Sequence, residues 1–176
     1  MNNKDILKIL KKLNPQLFSI GFRCELSSKY PHYFCTPVGA EVFASSGYEG
    51  IHYCTLAHYG ETVFVVNPEP GSDMFVYPVA GNIYDFLCLT YTLRGTSLID
   101  QIPFLDRDEF SVRLKQCEAE SAEFSDNINQ NLSELKNAFD LSVISDPYEY
   151  ILKVFSAFDD KKVKFSEEYY DILGLN

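Results

Sequence analysis

Between Pro37 and Ala80 short apolar runs alternate with turn-forming residues, and none of these runs has the length or period of a packed helix. Ala40–Ala44 has extended character, and Ser45-Ser46-Gly47 with Gly50 brackets a turn. Ile51–Ala57 alternates, with Ile51, Tyr53 and Thr55 on one side and His52, Cys54 and Leu56 on the other. His58-Tyr59-Gly60-Glu61 suits a hairpin connection. Thr62–Val66 is almost wholly apolar, which predicts a central strand covered on both faces. Asn67–Asp73 carries two prolines and a glycine, a rigid turn. Met74–Val79 returns as a strand, and Pro78 places its end at a sheet edge or exit. Strands joined this closely pair antiparallel.

The flanks follow a helical period. Ile6, Leu7, Ile9, Leu10 and Leu13 share one face of a short helix over 4–13, with lysines opposite, and Asn14-Pro15 ends it. Phe18–Leu26 reads as an edge strand and Ser27–Pro37 as a surface loop. Asn82 is placed to cap a helix over 83–93 that is apolar nearly all round, closed by Arg94-Gly95. Ser97–Ile102 reads as another helical turn. Asp106 and Glu109 have capping-box spacing for a helix reaching Glu120. A polar, Asn-rich stretch over 121–131 precedes a stripe of Leu132, Leu135, Ala138 and Phe139. Asp146-Pro147 opens a helix to Phe158, Val163–Phe165 reads as extended, and Ser166-Glu167-Glu168 starts a last helix ending at Gly174. The fold class expected is α+β: a mainly antiparallel sheet of about four to six strands in the N-terminal half, covered by helices from the C-terminal half. With no repeat or linker, the 176 residues read as one domain.

Charge is unevenly distributed. The net charge is −10; residues 1–95 carry seven basic and eight acidic groups, and residues 96–176 carry eight basic and seventeen acidic groups. Such a chain repels phosphate backbones, so direct nucleic-acid binding is not expected, whereas a basic protein partner is attracted. No apolar run approaches the ~20 residues that span a bilayer, and the N-terminus lacks the layout of a signal peptide, so no membrane association and a cytoplasmic location are expected. Cys24, Cys35, Cys54, Cys88 and Cys117 are odd in number and irregular in spacing, which fits reduced thiols packed as small hydrophobes.

Constellations with chemistry are few. His32, Cys35, His52 and Cys54 match no structural-zinc spacing, so no metal or other cofactor is expected. Cys54 or Cys35 beside a histidine would need a positive setting to ionise, but Glu41, Glu49, Glu61 and Glu69 dominate there. Asp106, Asp108 and Glu109 lie where a helix start favours carboxylates. Gly47 and Gly50 lie between strands, with no helix N-terminus to hold a phosphate. Tyr30, Tyr33, Tyr48, Tyr59, Tyr77 and Tyr84 fall in or beside predicted loops, where tyrosine supplies contact area with a polar tip.

Pro37-Val38-Gly39-Ala40-Glu41-Val42-Phe43-Ala44, Gly47-Tyr48-Glu49-Gly50-Ile51-His52-Tyr53-Cys54 and Val63-Phe64-Val65-Val66-Asn67-Pro68 resemble the SUKH superfamily. Asn82-Ile83-Tyr84-Asp85-Phe86-Leu87 is similar to that family's passage from strand to helix. The likeness runs over roughly residues 37–114, leaving a helical extension from about residue 115 to 176. It implies a non-catalytic α+β binding fold. Many bacterial members are immunity proteins that neutralise a toxin domain, often a basic nuclease, by tight binding; fungal members regulate cell-wall assembly. The expected function is therefore occlusion of a cognate toxin domain by a monomer or weak dimer. The rivals are a regulatory adaptor for other cytoplasmic proteins and a small enzyme using Cys54 and His52. Contact candidates are the loop residues Tyr48, Glu49, His58, Tyr59, Glu61 and Asp73, with Asp106, Asp108 and Glu109 adding charge.

Overall fold

The computed structural model describes residues 3–13, 16–24, 32–69, 74–122 and 125–175. Five strands follow in chain order: β1 (Arg23–Cys24), β2 (Ala40–Ser45), β3 (His52–Leu56), β4 (Val63–Val66) and β5 (Val76–Ala80). Each pairs antiparallel with the next, giving a meander in the order β1-β2-β3-β4-β5. The turn signals between the strands dictate this topology, since an antiparallel neighbour is reached by a short reversal. Pro78 lies in edge strand β5, where its missing N–H need not serve an outer neighbour.

Six helices complete the described chain: α1 (Asn3–Leu13), α2 (Ile83–Thr92), α3 (Arg107–Ala122), α4 (Ser125–Phe139), α5 (Pro147–Ser156) and α6 (Glu167–Leu173). The architecture is α+β. Local chemistry sets the helix starts. Asn82 Oδ1 accepts the Asp85 N–H at 2.8 Å, and Asp146 Oδ1 accepts that of Glu149 at 3.0 Å. Asp106 and Glu109 exchange reciprocal bonds at 2.8 and 2.9 Å, a complete capping box.

Both faces of the sheet are covered. On one face Phe43, Tyr53, Val63, Val65, Tyr77 and Val79 join the main core with α1 and α2. Phe86 of α2 is the hub, its ring 4.7 Å from that of Tyr53 and 6.0 Å from those of Phe22 and Phe43. On the other face Cys54, Leu56, Phe64, Val66 and Val76 form a smaller core with Cys35. Phe158, Val163, Phe165 and Tyr169 pack against that core, so the last part of the chain closes the second face. Alternation along β4 therefore feeds two cores, which is why every residue of that strand is apolar and buried.

The structure departs from the sequence reading in several places. Phe18–Ile20 belongs to a 3-10 turn (Gln16–Ile20), and the expected edge strand shrinks to β1. Thr96 explains this: its N–H donates to Ile20 O at 3.1 Å and its hydroxyl to Gly21 O, while Gly21 turns at φ +66°. The polar stretch over 121–131 is largely helical, because α4 begins at Ser125 and buries Ile128. The residue that ends α2 in the left-handed region is Arg94, at φ +60°, not Gly95. Arg94 donates to Asn129 Oδ1 at 2.8 Å, which ties that backbone to α4. Gly95 serves a close approach instead: a Cβ there would lie 3.2 Å from Ile20 O. Val163–Phe165 forms no strand; Val38 N–H donates to Lys164 O at 2.8 Å, a single link. Ser166 precedes α6 without a side-chain cap bond. Asn14-Pro15, residues 27–31 of the expected loop over 27–37, and Asp73 lie outside the described residues.

Candidate functional site

The turn between β2 and β3 is fixed by a chain of polar bonds. Ser46 N–H donates to Ile51 O at 3.0 Å, Ile51 N–H to Tyr48 O at 3.0 Å, and Tyr48 N–H to Ser46 Oγ at 3.1 Å. Buried His52 pins the turn from behind. Its Nδ1 lies 2.7 Å from Gly50 O and its Nε2 3.2 Å from Thr36 Oγ1, which in turn accepts the Tyr33 N–H at 3.0 Å. A carbonyl only accepts, so Nδ1 carries the proton and Nε2 accepts from Thr36. Burial accordingly holds the imidazole below its ordinary value and neutral. The turn forces Glu49 into the left-handed region at φ +49° and presents Tyr48 to solvent, 66% exposed.

Beside this turn lies an open groove of about 750 Å³. Tyr48, Glu49 and Tyr53 line it from the β2–β3 side, Glu69 from the segment after β4, and Tyr77 from β5. Asp100 and Phe104 line it from the segment after α2, and Arg113 from α3. Each is placed by its own local bonds. Glu69 N–H donates to Asn67 Oδ1 at 3.0 Å, a side-chain turn that orients the segment leaving β4. Tyr77 hydroxyl donates to Asp100 O at 2.9 Å, and its ring meets Phe104 edge-on at 4.9 Å. Phe104 remains 53% exposed on the rim.

The electrostatics are those of crowded acids. Glu49 is raised from its ordinary value by the neighbouring Glu69, first because its protonated carboxyl can donate a hydrogen bond to the Glu69 carboxylate and then by the charge of Glu69. Asp100 is pushed up to about 7, chiefly by burial, against a hydrogen bond from its own backbone that lowers it. Tyr53 and Tyr77 are raised by burial and by the nearby Asp100. No ion pair among the described residues reaches Glu49, Glu69 or Asp100. Arg113 donates instead to Gln116 of its own helix at 3.3 Å.

The contact candidates from the sequence do not form one patch. Tyr48 and Glu49 sit at the groove. His58, Tyr59 and Glu61 belong to the β3–β4 connection, at the opposite end of the sheet. There Tyr59 packs on Phe64 and Phe158, and its hydroxyl donates to Asp159 O at 2.6 Å. It also lines a second, more apolar recess of about 430 Å³ with Pro78, Tyr150 and Lys153. Asp106 and Glu109 are engaged in capping α3, and Asp108 is exposed on that helix's first turn. The sequence reading missed Glu69, Asp100 and Phe104 as site residues. Signals for two of them were present: Glu69 stands between two prolines, and Asp100 interrupts the apolar run Leu98-Ile99-Asp100-Gln101-Ile102.

Thiol and metal chemistry find little support. All five cysteines are free, and four are buried. Burial pushes Cys35 up to about 11 and Cys54 up to about 12, so both stay protonated at neutral pH. The ring nitrogens of His52 are engaged with Gly50 and Thr36 rather than poised to take a thiol proton. Among the described residues no group of three or more His, Cys, Asp and Glu side chains is arranged to hold a metal ion, and no helix is long and apolar enough to cross a membrane. No family model, curated protein or solved structure matches the chain.

Proposed function

We propose that this chain is a non-catalytic protein-binding domain of the immunity type, which neutralises a basic toxin domain by covering its working surface. The acidic, aromatic-rimmed groove carries this reading. Exposed aromatic rings beside acidic side chains that no ion pair among the described residues engages are the ingredients of an anchor site for a cationic protein surface. The resemblance of residues 37–114 to the SUKH superfamily supports the same reading, as does the acidic C-terminal half. A nucleophile-driven reaction has no comparable support, since the buried thiols are held neutral.

The test is direct. The purified chain is mixed with toxin domains encoded beside its gene, and complex formation is followed by calorimetry and by loss of toxin activity. A stoichiometric complex that silences the toxin is expected. Failure to bind any neighbouring toxin domain at micromolar concentration refutes the proposal, and so does turnover of a substrate by the chain alone.

A further inference from the structure

We propose that the groove beside the β2–β3 turn receives the guanidinium of an arginine carried on a loop of the partner, seated between the rings of Tyr48 and Phe104 and the carboxyls of Glu49, Glu69 and Asp100. The inference rests on the protein-binding reading above and names the chemistry of what enters.

Four observations select this occupant. First, the groove is larger than one side chain and open, so a loop rather than a free ion fits it. Second, three carboxyls face one cation, Arg113, which is already engaged with Gln116. The unbalanced charge excludes an anionic ligand. Third, the three carboxyls come from three different segments, and no metal-holding group occurs among the described residues. An extended cation suits that arrangement better than a point charge. Fourth, the rim is aromatic and unusually open, with Tyr48 66% and Phe104 53% exposed. A guanidinium stacks on such faces while its planar fork bonds carboxylates, a combination an ammonium lacks.

Occupancy is coupled to protons. The titratable and charged groups facing the groove are Tyr48 and Glu49 on the β2–β3 turn, Tyr53 on β3, Glu69 after β4, Tyr77 on β5, Asp100 after α2, and Arg113 on α3. Two features of the groove favour protonated carboxyls: Glu49 lies against the Glu69 carboxyl, and Asp100 is largely buried, which pushes it up to about 7. An arriving guanidinium favours the ionised carboxylates, so a proton held there, at Asp100 above all, leaves to solvent. Binding therefore tightens as pH rises.

The experiment titrates the intact, isotope-labelled chain with a capped Gly-Arg-Gly peptide and with its citrulline and lysine counterparts, followed by NMR. Calorimetry in two buffers of different ionisation enthalpy counts released protons. The arginine peptide is expected to saturate with a Kd of about 1 mM, to shift the amides of Tyr48, Glu49 and Asp100, and to bind several-fold tighter at about pH 8 than at about pH 6. The citrulline peptide should not bind. Glu69→Gln should lower arginine affinity at least about tenfold and flatten its pH dependence, and Phe104→Ala should weaken it several-fold. Both substitutions fall on the groove's solvent side, and retained far-UV dichroism confirms folding. Equal binding of citrulline or lysine peptide, no binding of arginine up to about 10 mM, or an unchanged Glu69→Gln variant each overturns the inference. A toxin complex that survives Glu69→Gln at full affinity refutes the arginine site while leaving protein binding intact. Absence of any toxin complex refutes the broader reading instead.

Discussion

Asp100 imposes a pH-dependent penalty on the fold, and Asp100→Asn should remove it. The carboxyl sits at the groove beside Tyr53 and Tyr77, and its value moves from 3.8 to about 7. As pH rises from the lower value, the unfolded chain releases this proton while the folded chain retains it. The folded state then binds more protons, so stability falls with rising pH across that window and is flat above it. Ionised in both states, the group costs about 4 kcal/mol, an upper value because the groove admits water. Between about pH 5 and about pH 8 the penalty grows by about 2.5 kcal/mol. Asn keeps the acceptor oxygen without the charge. The gain of the variant over the parent should therefore be small at the acid end and large at the alkaline end. For a chain of this size, each kcal/mol moves Tm by about 2–4 °C, so the Tm difference should widen by about 5 °C or more between the two conditions. Thermal unfolding by circular dichroism at matched ionic strength reads this directly. A Tm difference that stays constant within about 1 °C across the range would show that Asp100 ionises freely in the folded protein.

Other parts of the structure give further expectations. Gly50 turns at φ +76° and a Cβ there would meet the Tyr33 ring at 2.4 Å, so Gly50→Ala should cost about 2–3 kcal/mol in urea unfolding; a neutral result would contradict the Tyr33 packing. His52 should show the neutral, Nδ1-protonated pattern in nitrogen NMR at neutral pH. Because the unfolded chain takes up a proton that folded His52 resists, its contribution to stability should be lost as pH falls through about 6.5. A charged ring at neutral pH would break the Thr36–His52–Gly50 chain of bonds. Thiol labelling of the native protein should leave Cys54 and Cys35 silent until unfolding, while half-buried Cys117 reacts first; rapid native labelling of Cys54 would revive the enzyme reading. Phe86→Ala should cost about 3–5 kcal/mol, since its ring joins Phe22, Phe43 and Tyr53; a loss below about 1 kcal/mol would deny it the central position.

Elements whose cause is local were legible in the sequence. Asn82, Asp106 with Glu109, and Asp146 announce helix starts because the capping bond joins residues three apart. The apolar run Val63–Val66 announces a strand buried on both sides for the same reason: burial is written into consecutive residues. Elements decided at a distance were not legible. The turn at Gln16–Ile20 depends on Thr96, and the left-handed Arg94 is steadied by Asn129. The groove belongs to this second kind. Glu49, Glu69 and Asp100 come from three separate connections, and only the sheet's meander and the segment after α2 bring them together. Tyr48 and Glu49 were visible as loop residues, but nothing in their spacing separated them from His58, Tyr59 and Glu61 at the far end of the sheet.

The closing of the second core by Phe158, Val163, Phe165 and Tyr169 has a consequence for synthesis. A ribosome making this protein emits the whole sheet long before it emits the strap that shields Phe64, Val66 and Val76. Until Tyr169 clears the exit tunnel, the nascent chain displays a greasy flank to chaperones and to its own siblings. Slow translation or early termination downstream of α5 would thus yield clumped product, even with every strand already made.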